Sequence, residues 1–107
     1  MLKLLRLCQR LFGLKQAFRA VVVLDDPDAP CEGTLYLVGD KAVFWKAVLK
    51  CPCGCGTVIQ LPMDDARSTN WKIVSDSLIQ PTLVPSIDRT AGCRSHFLLR
   101  QGKIIWC

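Results

Sequence analysis

The order of apolar and polar residues predicts a helix at the start of the chain. Over residues 2–19, apolar residues recur every three or four positions, so at 100° per residue they fall on one stripe of a helix. Cationic side chains flank this stripe on both sides. The stripe consists of Leu4, Leu7, Leu11, Leu14 and Phe18. The pattern therefore predicts that residues 1–19 are a basic segment carrying one amphipathic helix.

From residue 20 onward the pattern changes to that of β-strands, with short β-branched or alternating runs separated by turn residues. The predicted strands are Ala20–Leu24, Thr34–Val38, Ala42–Lys50, Thr57–Leu61, Trp71–Val74, Thr82–Asp88, Cys93–Arg100 and Lys103–Trp106. Short loops at residues 39–41, 89–92 and 101–102 indicate hairpins. The expected fold is α+β and mostly β, a small antiparallel sheet domain over residues 20–107 with one N-terminal amphipathic helix.

Size and charge narrow the function classes. A chain of 107 residues is expected to form one domain. The formal net charge is +5, but residues 1–20 contain five cationic residues and no acidic one, whereas cations and acids balance over residues 21–107. Because the excess charge lies in the predicted helix, a domain with a positive field over its whole surface is disfavoured, and no nucleic-acid partner is expected.

Three roles are open to the predicted helix. Its apolar stripe can pack on the sheet and leave the flanking cations in water, or it can dock on a protein partner. The basic flanks also fit a helix lying on a membrane surface. This third role is the least favoured, because one apolar face on a short helix without a lipidation motif is a weak anchor.

The cysteine content points to a bound metal. The chain contains seven cysteines, but Arg6 and Arg10 interrupt the first apolar stretch, so we find no export signal. No apolar run approaches the ~20 residues of a membrane-spanning helix. We therefore expect a cytoplasmic protein with reduced thiols, in which clustered cysteines bind metal rather than form disulfides.

The most specific motif is Cys-Pro-Cys-Gly-Cys-Gly at residues 51–56. Glycine and proline between the cysteines allow the turns that aim several sulfurs at one point. Zn²⁺ takes about four tetrahedral ligands, so this motif needs a further ligand from elsewhere. Cys93 and His96, three positions apart, form a suitable second half-site, and Cys107 is a further candidate. The first-choice ligands are Cys53, Cys55, Cys93 and His96, with Cys51 close behind, and the predicted cofactor is Zn²⁺.

His96 is the one histidine of the chain, and two serines are expected near it. If the hairpin closes around residue 91, Ser86 faces His96 on one sheet face, whereas a slip of one residue sets Ser86 opposite Ser95. Either serine becomes a nucleophile if His96 acts as its base, oriented by Asp88 or Asp76. If His96 binds the metal instead, hydrolysis needs a metal-bound water, or the site is closed and structural.

Five motifs together carry a family resemblance. They are residues 51–56, Trp71, Thr82–Ile87, Gly92–Phe97 and Gly102–Trp106. In this order they resemble a small bacterial and phage family of unassigned function with metal-binding character, and the resemblance covers roughly residues 34–107. Genes of that family often stand beside those for a ubiquitin-like protein and its activating and conjugating enzymes, sometimes in defence-associated operons. The positions that match are Cys51, Cys53, Cys55, Ser86, Cys93, Ser95 and His96.

The resemblance implies a small zinc-containing peptidase that matures or removes a ubiquitin-like protein. Its expected partners are that protein and its activating and conjugating enzymes. The expected catalytic residues are Ser86, Ser95 and His96, acting through a serine and histidine or through zinc. The alternative function is a non-catalytic zinc-binding adaptor that recruits the conjugation machinery.

Overall fold

The computed structural model describes residues 17–40, 43–63, 70–74 and 77–107, and these residues form eight strands in two four-stranded sheets. The first sheet contains β1 (Arg19–Val23), β2 (Thr34–Asp40), β3 (Val43–Lys50) and β4 (Val58–Pro62). The second sheet contains β5 (Lys72–Ile73), β6 (Leu83–Asp88), β7 (His96–Arg100) and β8 (Lys103–Trp106). Spatial neighbours follow chain order in both sheets, so the connections between paired strands cross no other strand.

The mostly antiparallel arrangement predicted from the sequence is confirmed, with one exception. β1 and β2 run parallel, starting with Arg19 opposite Thr34, whereas every other pair of the described strands is antiparallel. β7 and β8 are joined by the two-residue turn Gln101-Gly102, where φ is 50° and 76°. Positive φ at both turn residues matches the twist of an antiparallel hairpin, and glycine at the second position adopts it without steric cost.

The predicted N-terminal helix does not extend over residues 17–19, the part of it that the structure describes. Residues 17 and 18 are irregular, Arg19 begins β1, and the described part of the chain contains no helix. Phe18, expected on the apolar stripe of the helix, is 2% exposed in the core, and its amide donates to the Gly102 carbonyl at 2.6 Å. The valines of β1 pair with β2, and this pairing begins at Arg19, directly after Phe18. Residues 1–16, which hold most of the predicted helix, lie outside the described residues.

One hydrophobic core joins the two sheets. β2, β3 and β4 contribute alternate side chains to it, and so do β6 and β7 of the second sheet. The buried residues of this cluster are Phe18, Ala20, Leu35, Leu37, Ala47, Leu49, Cys51, Ile59, Leu61, Met63, Leu83, Ile87, Phe97 and Leu99. Since side chains of successive strand residues point to opposite faces, the residues between them lie on the outer faces of the sheets. No helix in the described part of the chain has the length and apolar character needed to cross a membrane.

Gly39 lies at a register shift in the β2–β3 pair, and we expect its replacement by alanine to destabilise the fold. A Cβ atom at this position would stand 2.1 Å from the carbonyl oxygen of Val43, so the two strands would have to separate. We expect Gly39→Ala to lower the free energy of unfolding by about 3 kcal/mol, measured by urea denaturation. Gly54→Ala is the control: its Cβ meets no atom within 4 Å, so the cost is the left-handed backbone alone, about 1–2 kcal/mol. Equal losses in the two variants would contradict the steric explanation.

Candidate active site and metal centre

Ser86 and His96 form a close pair on the outer face of the second sheet. Ser86 Oγ lies 3.0 Å from His96 Nε2, which is hydrogen-bonding distance. Ser86 belongs to β6 and His96 is the first residue of β7, and both side chains are partly buried. A serine hydroxyl bonded to an imidazole nitrogen is the arrangement in which the histidine can accept the hydroxyl proton.

An irregularity in β6 brings Ser86 to His96. Leu83 pairs with Leu99 and Ile87 with Phe97, so four steps along β6 correspond to two steps along β7. The additional residues of β6 form a bulge that contains Ser86 and the cis peptide bond between Val84 and Pro85. Bulges of this kind re-aim side chains, and here Ser86 reaches the imidazole without being its direct cross-strand partner.

Asp88 is the direct cross-strand partner of His96. Residues directly opposite each other in antiparallel strands project from the same face, so this carboxylate shares the outer face with the imidazole. Of the two acids expected near the histidine, Asp88 therefore lies beside it in the sheet. Asp76 lies outside the described residues.

Four cysteines converge next to this pair. The sulfurs of Cys51, Cys53, Cys55 and Cys93 all lie within 4.8 Å of one another, close enough to hold one metal ion. Cys51 Sγ is 3.3 Å from Cys53 Sγ and 3.6 Å from Cys93 Sγ. Cys51 is 1% exposed, whereas the other three cysteines are exposed. The cluster is therefore buried on the side of Cys51 and open to solvent on the other side.

The cysteines come from two loops that join different strand pairs. The loop between β3 and β4 supplies three of them and is closed by hydrogen bonds from the Cys51 amide to the Thr57 carbonyl (2.9 Å) and from the Gly54 amide to the Cys51 carbonyl (3.2 Å). The loop between β6 and β7 supplies Cys93, and the Arg89 amide closes it by donating to the Ser95 carbonyl at 2.8 Å. The cluster therefore connects the first sheet to the second at the end where His96 lies.

Ser95 contacts the cysteines. Its Oγ lies 3.1 Å from Cys93 Sγ, and the Cys51 thiol donates to it at 3.5 Å. Ser95 is 9% exposed and is one of the two buried polar residues in the described core. Because Ser95 and His96 are adjacent in the chain, their side chains point to opposite sides of the strand, one toward the cluster and one toward Ser86.

The surroundings of the thiols shift their pKa values in opposite directions. Hydrogen bonds from the side chain and backbone of Ser95 lower the pKa of Cys93 to about 6. Burial raises the pKa of Cys51 to about 11, and the side-chain and backbone hydrogen bonds of Thr57 lower that of Cys55. Cys93 is therefore ionised at neutral pH before a cation binds, while the neighbouring Cys51 thiol keeps its proton.

The structure brings together most of the predicted site residues, but in two groups. Four of the five predicted metal ligands, Cys51, Cys53, Cys55 and Cys93, lie in the cluster, and the fifth, His96, lies outside it. His96 is bonded to Ser86 instead. Cys107 does not belong to the cluster, although its backbone amide donates to the His96 carbonyl at 2.9 Å. Cys31, outside the cluster, is disulfide-bonded, against the expectation of reduced thiols.

Ser95 makes contacts that the sequence pattern does not indicate. The pattern makes it a candidate nucleophile, whereas the structure places its hydroxyl between two sulfurs. Only the spacing carries a signal for them, because a hydroxyl two residues after a cysteine in a tight turn can reach that sulfur. The β6 bulge has no comparable signal beyond the proline at position 85.

Comparison with known proteins identifies a family that includes most of this chain. Residues 22–107 match the model of a family described as the bacterial ubiquitination-like system serine protease, BubE. The match extends over all the strands except the start of β1, and it confirms the resemblance noted for residues 34–107. No curated protein and no solved structure matches the chain.

Proposed function

The chain belongs to the BubE family, and on this basis we propose that it is a serine peptidase that cleaves at the C-terminus of a ubiquitin-like protein. The cleavage either matures that protein or releases it from conjugates. The observation that carries the proposal is the 3.0 Å contact between Ser86 Oγ and His96 Nε2. The family description supports both the serine chemistry and the ubiquitination-like pathway.

In the proposed reaction, Ser86 Oγ attacks the scissile carbonyl carbon while His96 Nε2 accepts the hydroxyl proton. The C–N bond of the resulting tetrahedral adduct breaks, and the same proton passes from Nε2 to the leaving amine. This leaves the ubiquitin-like protein as an ester on Ser86. A water molecule then attacks the ester with His96 as base, and the proton returns to Ser86 Oγ as the free carboxylate leaves.

Ser86 is the proposed nucleophile in preference to Ser95. Ser95 is buried and bonded to Cys93 and Cys51, so its hydroxyl is committed to the sulfurs. Ser86 is partly exposed on the face that a polypeptide can approach. Asp88, the cross-strand partner of His96, is the proposed positioning residue for the imidazole, since a base that receives a proton on Nε2 needs its ring held in one orientation.

We propose Zn²⁺ as the metal of the four-cysteine cluster. Zinc with four sulfurs at about 2.3 Å needs sulfurs about 3.8 Å apart, and the cluster, with its sulfurs within 4.8 Å of one another, fits that requirement. Four thiolates form a closed structural site, so the bound ion supplies a cross-link between the two loops. With this ligand set, His96 is available as the base of the proposed reaction.

The direct test is the cleavage of a ubiquitin-like protein from the same pathway, fused through its C-terminus to a reporter. The purified protein should release both parts. A fluorophosphonate, which phosphonylates activated serines with loss of fluoride, should add to one serine, and peptide mass analysis should locate the adduct on Ser86. The Ser95→Ala variant should still be labelled at Ser86. An adduct on Ser95, or labelling that disappears in Ser95→Ala while the fold is retained, would contradict the assignment.

A further inference from the structure

The outer face of the second sheet carries an ordered set of side chains next to Ser86 and His96. Cross-strand partners project from the same face, and the face alternates along each strand. Since Leu83, Ile87, Phe97 and Leu99 point into the core, their strand neighbours point outward. Asp88 and His96 therefore form the first outward row.

An apolar row follows the first. Leu98 is two residues beyond His96 on β7, and its partner on β8 is Ile105. Val84 of β6 lies on the same face and pairs with Lys72 of β5. Ile105 is 41% exposed and Leu98 and Val84 are partly buried, so this row is an open apolar shelf rather than part of the core.

A cationic row lies beyond the shelf. Arg100 and Lys103 are cross-strand partners at the β7–β8 turn, and both are exposed. Among the described residues, the one salt bridge is between Lys46 of β3 and Asp26. Neither Arg100 nor Lys103 is therefore paired with a described carboxylate. Asp88 lies at the opposite end of the face, beside His96. The far end of the face therefore carries two cations without a carboxylate partner among the described residues, whereas Asp88 lies at the catalytic end, where the adjoining loop carries Arg89 and Arg94. A third cation, Lys72, is exposed beside Val84.

We propose that this face binds the polypeptide segment before the scissile bond, in an extended conformation, and selects an apolar residue and an acidic residue in it. The rows are two residues apart along β7, about 6.6 Å, which is also the spacing of same-side residues in an extended peptide. With the scissile residue at Ser86, the apolar residue lies two positions before it over Leu98 and Ile105. The acidic residue lies four positions before it, between Arg100 and Lys103.

The charged side chains of the face determine at which position of the peptide an acidic residue is preferred. An acidic residue next to the scissile bond would face Asp88, whereas four positions away it faces Arg100 and Lys103, neither of which is paired with a carboxylate of the described residues. The inference rests on the proposed function in one respect, the use of Ser86 as the point from which positions are counted. It deepens that function by naming what the C-terminal segment of the ubiquitin-like substrate must contain.

Peptide binding to the Ser86→Ala variant tests the proposal without requiring catalysis. The reference probe is a fluorescent pentapeptide with aspartate first, leucine third and glycine fifth, and serine at the other two positions. Fluorescence polarisation should give a Kd about tenfold lower than for a peptide with lysine first or with serine third. A peptide with the aspartate and leucine exchanged should also bind about tenfold more weakly.

Variants of the face should invert this selectivity. The double variant Arg100→Glu/Lys103→Glu should prefer the lysine peptide, and Ile105→Ser should lose the preference for leucine. Arg19→Glu and Val22→Ser are matched controls in the first sheet, since Arg19 is exposed and Val22 is 43% exposed, and both should keep the reference affinity. Near-UV circular dichroism checks that all variants keep the native packing.

The outcomes separate this proposal from the proposed function. Equal affinity for all peptides, or a charge preference that survives Arg100→Glu/Lys103→Glu, overturns the binding face even if the enzyme cleaves its fusion substrate. A competition experiment gives a further outcome. If a single-stranded oligothymidylate displaces the reference peptide at a lower concentration than unlabelled peptide does, the face is a nucleic-acid surface and the proposal is overturned. Selective peptide binding by a protein that cleaves nothing retains the face and rejects the catalysis.

Discussion

Replacing Ser86 by alanine is expected to lower the rate of fusion cleavage by at least about 1,000-fold, because the reaction then has no nucleophile. The loss should occur in kcat, since the hydroxyl contributes little to the contact area with the substrate. His96→Ala should have a similar effect, because Ser86 Oγ then has no base at 3.0 Å. The measurement is initial-rate kinetics with the reporter fusion, and thermal unfolding shows whether each variant is folded.

The combination of the two substitutions distinguishes a catalytic pair from two independent contacts. Residues that act in one step are strongly non-additive, so Ser86→Ala/His96→Ala should be no slower than either single variant within about threefold. Ser77→Ala, a replacement of an exposed serine outside the pair, should leave the rate unchanged. Absence of cleavage by the wild type would reject the peptidase and favour a non-catalytic zinc adaptor, whereas cleavage unaffected by either variant would reject Ser86 and His96 as the catalytic pair.

Removal of the metal is expected to lower both stability and activity. If free zinc exceeds its Kd about 1,000-fold, binding stabilises the folded state by about 4 kcal/mol. At roughly 4–8 °C per kcal/mol for a domain of this size, chelation should lower Tm by at least about 15 °C. Activity should fall about 100-fold. Cys93 fixes the loop that leads into β7, whose first residue is His96, and a small displacement of the base lowers the reaction rate strongly.

Metal content and substitution test the structural assignment. Protein purified without chelators should contain about one equivalent of zinc, and less than about half would count against the site. Cys93→Ser should lose the metal, whereas Cys107→Ser, outside the cluster, should keep it. Exchange of zinc for cadmium should retain activity within about threefold, since no step of the reaction uses the metal. A large change on exchange would instead indicate a catalytic metal.

Proton release follows from the thiol acidities. A thiol must lose its proton to bind zinc, so affinity falls as the pH falls. At neutral pH Cys93, with a pKa of about 6, is already ionised, while Cys51, with a pKa of about 11, must give up its proton on binding. Calorimetry of zinc binding in buffers of different ionisation enthalpy should therefore detect at least one proton released.

Local patterns predicted the strands because the residues of each strand carry the alternating or β-branched pattern that favours it. The runs around Thr34–Val38 and Lys103–Trp106 alternate or are β-branched, and turn residues separate them, so their positions needed no long-range information. The same local pattern misassigned Phe18. A helical stripe and an irregular segment that enters the core both require an apolar residue at that position. The hydrogen bond from the Phe18 amide to the distant Gly102 carbonyl is a contact that no local pattern shows.

By itself the sequence determined the chemistry available: one histidine, clustered cysteines and serines within ten residues of the imidazole. It also brought Ser86 near His96 in outline, through the hairpin between them. The tertiary structure decided which groups meet. The bulge in β6 brings Ser86 into contact with His96. The approach of two loops brings Cys51 next to Cys93, 42 residues away in the chain. The first contact depends on the register within one sheet and the second on packing between the two sheets, and no local stretch of residues encodes either.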